Sequence, residues 1–152
     1  MSTLRPSSGS TVEMGTRPKS NTQEDHEVTV SKFMSKYQGR VLEDAGSVQS
    51  EEFKQFARDF KSMAYEAAGN IGAKLYSFHR GHYDVSGFAE RGGEYAYFAF
   101  SCPRCIRIDL TRSDCMSGIL VRTAEGPKDF TGGPNNFTNA EGFQTLLDAC
   151  LR

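Results

Sequence analysis

Residues 83–101 read Tyr-Asp-Val-Ser-Gly-Phe-Ala-Glu-Arg-Gly-Gly-Glu-Tyr-Ala-Tyr-Phe-Ala-Phe-Ser, two alternating runs rich in aromatic residues parted by Arg91-Gly92-Gly93. Glycine reaches positive φ without steric cost, so this separator suits a tight hairpin between strands near 83–90 and 94–101. In the second strand the period of two sets Ala96, Phe98 and Phe100 on one face and Tyr95 and Tyr97 on the other. On both sides of the hairpin the same alternation predicts further strands near 74–80, 105–110 and 117–124. Short connections make such a sheet mostly antiparallel, with four or five strands.

The flanking segments read as helices. From Val30, the residues Phe33, Met34, Tyr37 and Val41 recur at helical spacing, and Gly46 is placed to stop that helix. Gly39 lies inside the window, at a cost of about 1 kcal/mol relative to Ala. The next helix has Ser50 as its cap, Glu51 and Glu52 at its positive end, and one stripe of Phe53, Phe56, Ala57, Phe60, Met63, Ala64 and Ala67. Gly69-Asn70 closes it. After the strands, residues 125–138 run without periodicity. Thr138 and Glu141 then form a capping box for a short helix carrying Phe143, Leu146, Leu147, Cys150 and Leu151. Two N-terminal helices, the sheet and one C-terminal helix predict an α+β two-layer sandwich with helices over one sheet face.

The chain has 152 residues, 38% of them hydrophobic, enough for one apolar core without staples. Residues 1–25 are rich in Ser, Thr, Gly and Pro and read as a disordered tail, leaving 26–152 as a single domain. Eighteen basic and nineteen acidic residues give a net charge of −1, which argues against binding nucleic acid or anionic membrane by overall field. No apolar stretch approaches the roughly 20 residues of a membrane helix, and Met1–Ser10 has no apolar secretory core. A cytoplasmic protein is expected, with an unprocessed secreted bacterial effector as the alternative. For a chain in that compartment the Asn136-Phe137-Thr138 acceptor pattern is idle.

Four cysteines, at 102, 105, 115 and 150, are too sparse for a disulfide scaffold. Cys102-Pro103-Arg104-Cys105 has the gap that lets two thiolates share a tetrahedral zinc, but the remaining ligands would have to come from Cys115 with His79 or His82. No second paired motif completes the set, so no cofactor is expected and zinc is the alternative. As a redox dithiol the pair lacks a following helix to activate a thiolate. His79, His82, Tyr83 and Asp84 could supply a general acid and base, yet no nucleophile elbow, metalloprotease or phosphate-loop motif accompanies them. No catalytic residue is assigned, and a non-enzymatic role is favoured.

The aromatic crowding between Tyr76 and Phe100 is more distinctive. Tyr95 to Phe100 resembles the later part of the RNP1 strand of RNA-recognition motifs, which implies base stacking, although Gly93-Glu94 departs from that pattern. Residues 74–124 carry seven bases against five acids, and six of the seven are arginine. Arginine stacks on rings and grips carboxylate or phosphate bidentately. If Tyr95, Tyr97, Arg107 and Arg122 share the outer sheet face, that face has the composition of a recognition surface. The competing reading is that the arginines pair with Glu94, Asp109 and Asp114 within the fold.

The long loop supplies the last candidates: Asp129, Thr131, Gly132, Gly133, Asn135 and Asn136. Its Gly132-Gly133 amides could nest around an anion or a partner carbonyl, or its polar residues could serve only to stabilise turns. Arg122-Thr123-Ala124 followed by Asp129-Phe130-Thr131-Gly132-Gly133 and an Asn resembles a segment of small uncharacterised proteins from bacteria, phages and plasmids. The resemblance implies a mobile-element accessory protein, such as an anti-defence inhibitor or regulator, with no established activity. The expectation is therefore a macromolecule-binding protein with a protein partner. RNA or single-stranded nucleic acid, and a zinc module built on Cys102 and Cys105, are the alternatives.

Overall fold

A computed structural model describes residues 22–42, 51–81, 84–101, 107–115, 117–129 and 133–152. Residues 1–21, most of the expected tail, lie outside these. The elements run α1 (Thr22–Tyr37), α2 (Glu51–Asn70), β1 (Lys74–Arg80), β2 (Asp84–Arg91), β3 (Glu94–Ser101), β4 (Ile119–Ala124), β5 (Asn136–Thr138) and α3 (Phe143–Cys150). The five strands form one meander in the order β1-β2-β3-β4-β5, every neighbour antiparallel. At the β2–β3 turn Gly92 and Gly93 both take positive φ, 60° and 87°, which side-chain-bearing residues resist.

The core lies between α2 and the inner sheet face. Phe53, Phe56, Phe60, Met63, Ala64 and Ala67 of α2 are buried along one stripe, against Val85, Ala89, Ala96, Phe98, Phe100, Ile119 and Val121. Phe60 is at the centre, its ring 6.2 Å from Phe98, 5.9 Å from Phe100 and 6.3 Å from Phe143. Small residues make room for these rings. A side chain at Gly87 would collide with Phe98. α1 packs on α2 through Phe33 and Tyr37, and α3 closes the end of the core with Phe143 and Leu147.

Four elements differ from the sequence reading. α1 ends at Tyr37 instead of continuing past Val41, because Gly39 adopts φ 82° and donates its N–H to Ile108 O at 2.8 Å. Gly39 is thus the terminator of this helix, not a defect within it. The strand expected over 105–110 does not form across 107–110, and Ile108 instead donates its N–H to Arg40 O at 2.8 Å. Ile108 and Leu110 are buried, so the alternation reported burial of an extended segment against the end of α1 and not membership of the sheet. The fifth strand is Asn136–Thr138, inside the stretch read as aperiodic, where pairing with β4 supplies the order. That places Thr138 in a strand, and the expected capping box is absent. Gly142 is the N-cap of α3 without a side-chain cap, while Asn139 Oδ1 accepts the Gly142 N–H at 2.8 Å.

Candidate functional site

The outer sheet face is the one turned away from the helices. Strand alternation puts Phe88 of β2, Tyr95 and Tyr97 of β3 and Arg122 of β4 there, with Phe88 opposite Tyr97 and Tyr97 opposite Arg122. Its centre is closed. Phe88 is 2% exposed and its ring is 5.1 Å from that of Tyr97. The Arg122 guanidinium lies 4.5 Å from the Tyr97 ring centre, on the other side of the row.

Arg122 corrects the expectation of an outward-reaching guanidinium. It is 3% exposed, and its Nη1 and Nη2 donate to Thr123 O at 3.4 Å and Asp129 O at 3.2 Å. A buried cation needs such acceptors, and here they are backbone carbonyls of β4 and the loop after it. The residue holds the loop onto the sheet and stiffens Tyr97. Arg107 is a second correction, since its segment is no strand. It is exposed beside the end of α1, with Nη1 donating to Gly39 O at 2.6 Å, and does not share the tyrosine face.

The loop is internally bonded where it is described. Asp129 Oδ2 accepts the Glu125 N–H at 2.9 Å, and Gly133 donates its N–H to Thr123 O at 3.2 Å. Of the two readings of the Gly132-Gly133 pair, the Gly133 amide fits the structural one, being engaged with β4. Asn135 is exposed, and Asn136 begins β5 with Nδ2 donating to Pro134 O at 3.3 Å. Thr131 and Gly132 lie outside the described residues.

One aromatic belonging to this surface was not assigned to it from sequence. Strict alternation would place Tyr76 with Phe78 on the inner face. The β1–β2 register instead slips between Leu75 and Ser77. Tyr76 then meets Tyr95 edge to face at 5.7 Å and remains 51% exposed. The accessible part of the face is therefore a Tyr76–Tyr95–Tyr97 row, bordered by Lys74 and Glu90, which stand opposite each other across the first strand pair.

The metal and acid–base candidates fare differently. His82, Tyr83, Cys102 and Cys105 lie outside the described residues. His79 is exposed in β1 opposite Ser86, Asp84 opens β2, and Cys115 is an exposed free thiol. Cys150 is buried in α3, where desolvation pushes its thiol pKa up. Among the described residues no group of three His, Cys, Asp or Glu could hold a metal ion, and no helix is long and apolar enough to cross a membrane.

No protein-family model, curated protein or solved structure matches the chain significantly.

Proposed function

We propose that the chain is a non-enzymatic accessory protein that binds a protein partner through the tyrosine row on its outer sheet face. The observation that carries this reading is the Tyr76–Tyr95 pair, a half-exposed ring set edge-on against a second ring on a face that no helix covers among the described residues. Tyrosine offers a large amphipathic contact area and has few torsions to freeze on binding. The Arg122 clamp behind Tyr97 lowers that cost further by ordering the row before a partner arrives.

A protein partner suits this face better than nucleic acid. Arg107 and Arg122, the guanidiniums a phosphate-binding face would call on, both bond to carbonyls of the chain itself. Lys74 and Glu90 add no cationic excess beside the rings. The resemblance of the 122–136 segment to phage and plasmid proteins supports a role as an inhibitor or regulator from a mobile element, of the anti-defence kind.

The test is site-specific photocrosslinking in source cells, with a photoreactive phenylalanine at position 76 and, as control, at Val41, which is exposed in the segment after α1 and outside the sheet. The expected result is a discrete protein adduct from position 76 and none from position 41. Equal labelling from both positions, or adducts from position 76 that nuclease removes, would refute the assignment.

A further inference from the structure

A second surface lies at the opposite edge of the sheet from β5. Among the described residues β1 is an edge strand, paired with β2 on one side only. Between it and α2 opens a cleft of about 360 Å³ whose lining includes Lys54, Arg58 and Lys61 from the helix and Phe78, His79 and Arg80 from the strand. Four of these carry a full positive charge, and no carboxylate stands among the described residues that line the cleft, in a chain whose net charge is −1. The nearby acids of α2 do not cancel this. Asp59 is engaged by Lys36 on the α1 side, and Glu51 reaches Lys54 at 3.5 Å but is largely exposed. Arg58 donates to the neutral Gln55 Oε1 at 2.7 Å, and Lys61 rests 5.9 Å from the Phe78 ring centre.

We infer that this cleft receives an extended acidic segment of a partner protein, added to the sheet as a strand beside β1. Two independent features meet there. The first is the open edge. The slip in register ends at Ser77, so Ser77–Arg80 is regularly paired with β2 and presents a regular outer edge to a new strand. The second is the spacing of the cations. Positions 54, 58 and 61 advance along the helix by about 6 Å and then about 4.5 Å, at about 1.5 Å per residue. Alternate side chains of an extended strand are about 6.6 Å apart and lie on one face. A segment with acids at every second position would therefore set successive carboxylates against successive cations, with its intervening side chains on the other face of the sheet. Phe78 and Ala57 give the cleft an apolar floor that weakens solvent screening of those pairs. This surface is separate from the tyrosine row, and either can hold without the other.

The probe is a capped peptide of alternating Glu and Val, titrated into the full chain by fluorescence anisotropy at low and physiological salt. Its controls are the Lys/Val counterpart and an alternating Glu/Val peptide N-methylated at every second residue on the ladder-forming side. Saturable binding of the Glu/Val peptide is expected, weakened at least tenfold by N-methylation, by Arg58→Glu and by Lys61→Glu, and absent for the Lys/Val peptide. Both substituted residues are exposed, and Arg58→Gln with Lys61→Gln gives a milder pair should either reversal disturb folding. Failure of the Glu/Val peptide to bind, equal binding of the N-methylated peptide, or undiminished binding to the charge variants would overturn the inference. So would a single-stranded oligonucleotide that binds at the same residues when the peptide does not.

Discussion

Replacing Gly87 with Ala tests how β1 is held against β2 and the core. A Cβ at this position would stand 2.6 Å from Ser77 O, 2.8 Å from Phe98 Cζ and 3.3 Å from Phe78 Cδ1. Carbon atoms pack comfortably at about 3.5–4.0 Å, so the Phe98 ring would have to retreat by about 1 Å. It has little room to do so, being fully buried and 5.4 Å from the Phe143 ring. The Ser77 oxygen is backbone, and moving it pulls β1 away from β2. Overpacking of this kind costs about 1–3 kcal/mol, and two immovable neighbours place Gly87→Ala near the top of that range. The smaller conformational freedom of unfolded Ala returns about 0.4–1 kcal/mol. The net expectation is a loss of about 2 kcal/mol, read as a lower urea midpoint with an unchanged slope. Gly126→Ala, where a Cβ meets nothing within 4 Å, is the control and should stay within about 0.5 kcal/mol of the parent. Equal or higher stability of Gly87→Ala would show that the close approach of Phe98 and Ser77 to this glycine does not constrain the fold.

Three further outcomes are expected. Arg122→Ala should destabilise the domain by about 2–3 kcal/mol through loss of the carbonyl bonds and the Tyr97 contact, and Arg122→Lys should not restore it because an ammonium lacks the planar fork. Parent-like urea midpoints for both variants would remove the clamp. At the α1–α2 seam, burial raises the Asp59 pKa, but hydrogen bonds from Lys36, Tyr37 and Gln55 outweigh it and leave the carboxyl below its ordinary 3.8. Its stabilisation is therefore present above about pH 4 and lost as pH falls through the folded-state value, so Asp59→Asn should be less stable than the parent by about 1–2 kcal/mol at pH 6, with the gap closing in acid. A gap that stays constant down to pH 2 would contradict this. Tyr76→Ala, at a half-exposed position, should change the urea midpoint by less than the equivalent of about 1 kcal/mol, and a larger loss would assign that ring to the fold instead of to a partner.

Much of this architecture is legible in the chain because local pattern and tertiary burial agree. The α2 stripe from Phe53 to Ala67 is wholly buried, and the alternation around Arg91-Gly92-Gly93 gives the central hairpin with its faces correctly assigned. The misreadings arise where a residue's order comes from a distant partner. Asn136–Thr138 has no periodicity of its own and becomes a strand only beside Ile119–Val121. Ile108 and Leu110 alternate like a strand but satisfy backbone and burial against the end of α1. At the candidate site, Tyr95 and Tyr97 were readable from alternation. Tyr76 was hidden by a one-residue slip, and Arg122 reads as an exposed base until the loop carbonyl of Asp129 is seen to close over it. The cationic stripe Lys54, Arg58 and Lys61 is visible at helical spacing, but only the fold brings Phe78 and Arg80 to it.

The most direct measurement for the tyrosine row is the affinity of the partner recovered by crosslinking at position 76, determined by calorimetry for the parent chain and for the Tyr76→Ala/Tyr95→Ala variant. Loss of two ring anchors at about 1–3 kcal/mol each predicts at least a tenfold weaker complex with the fold intact. A variant that binds as tightly as the parent would contradict the assignment of the outer sheet face as the docking surface.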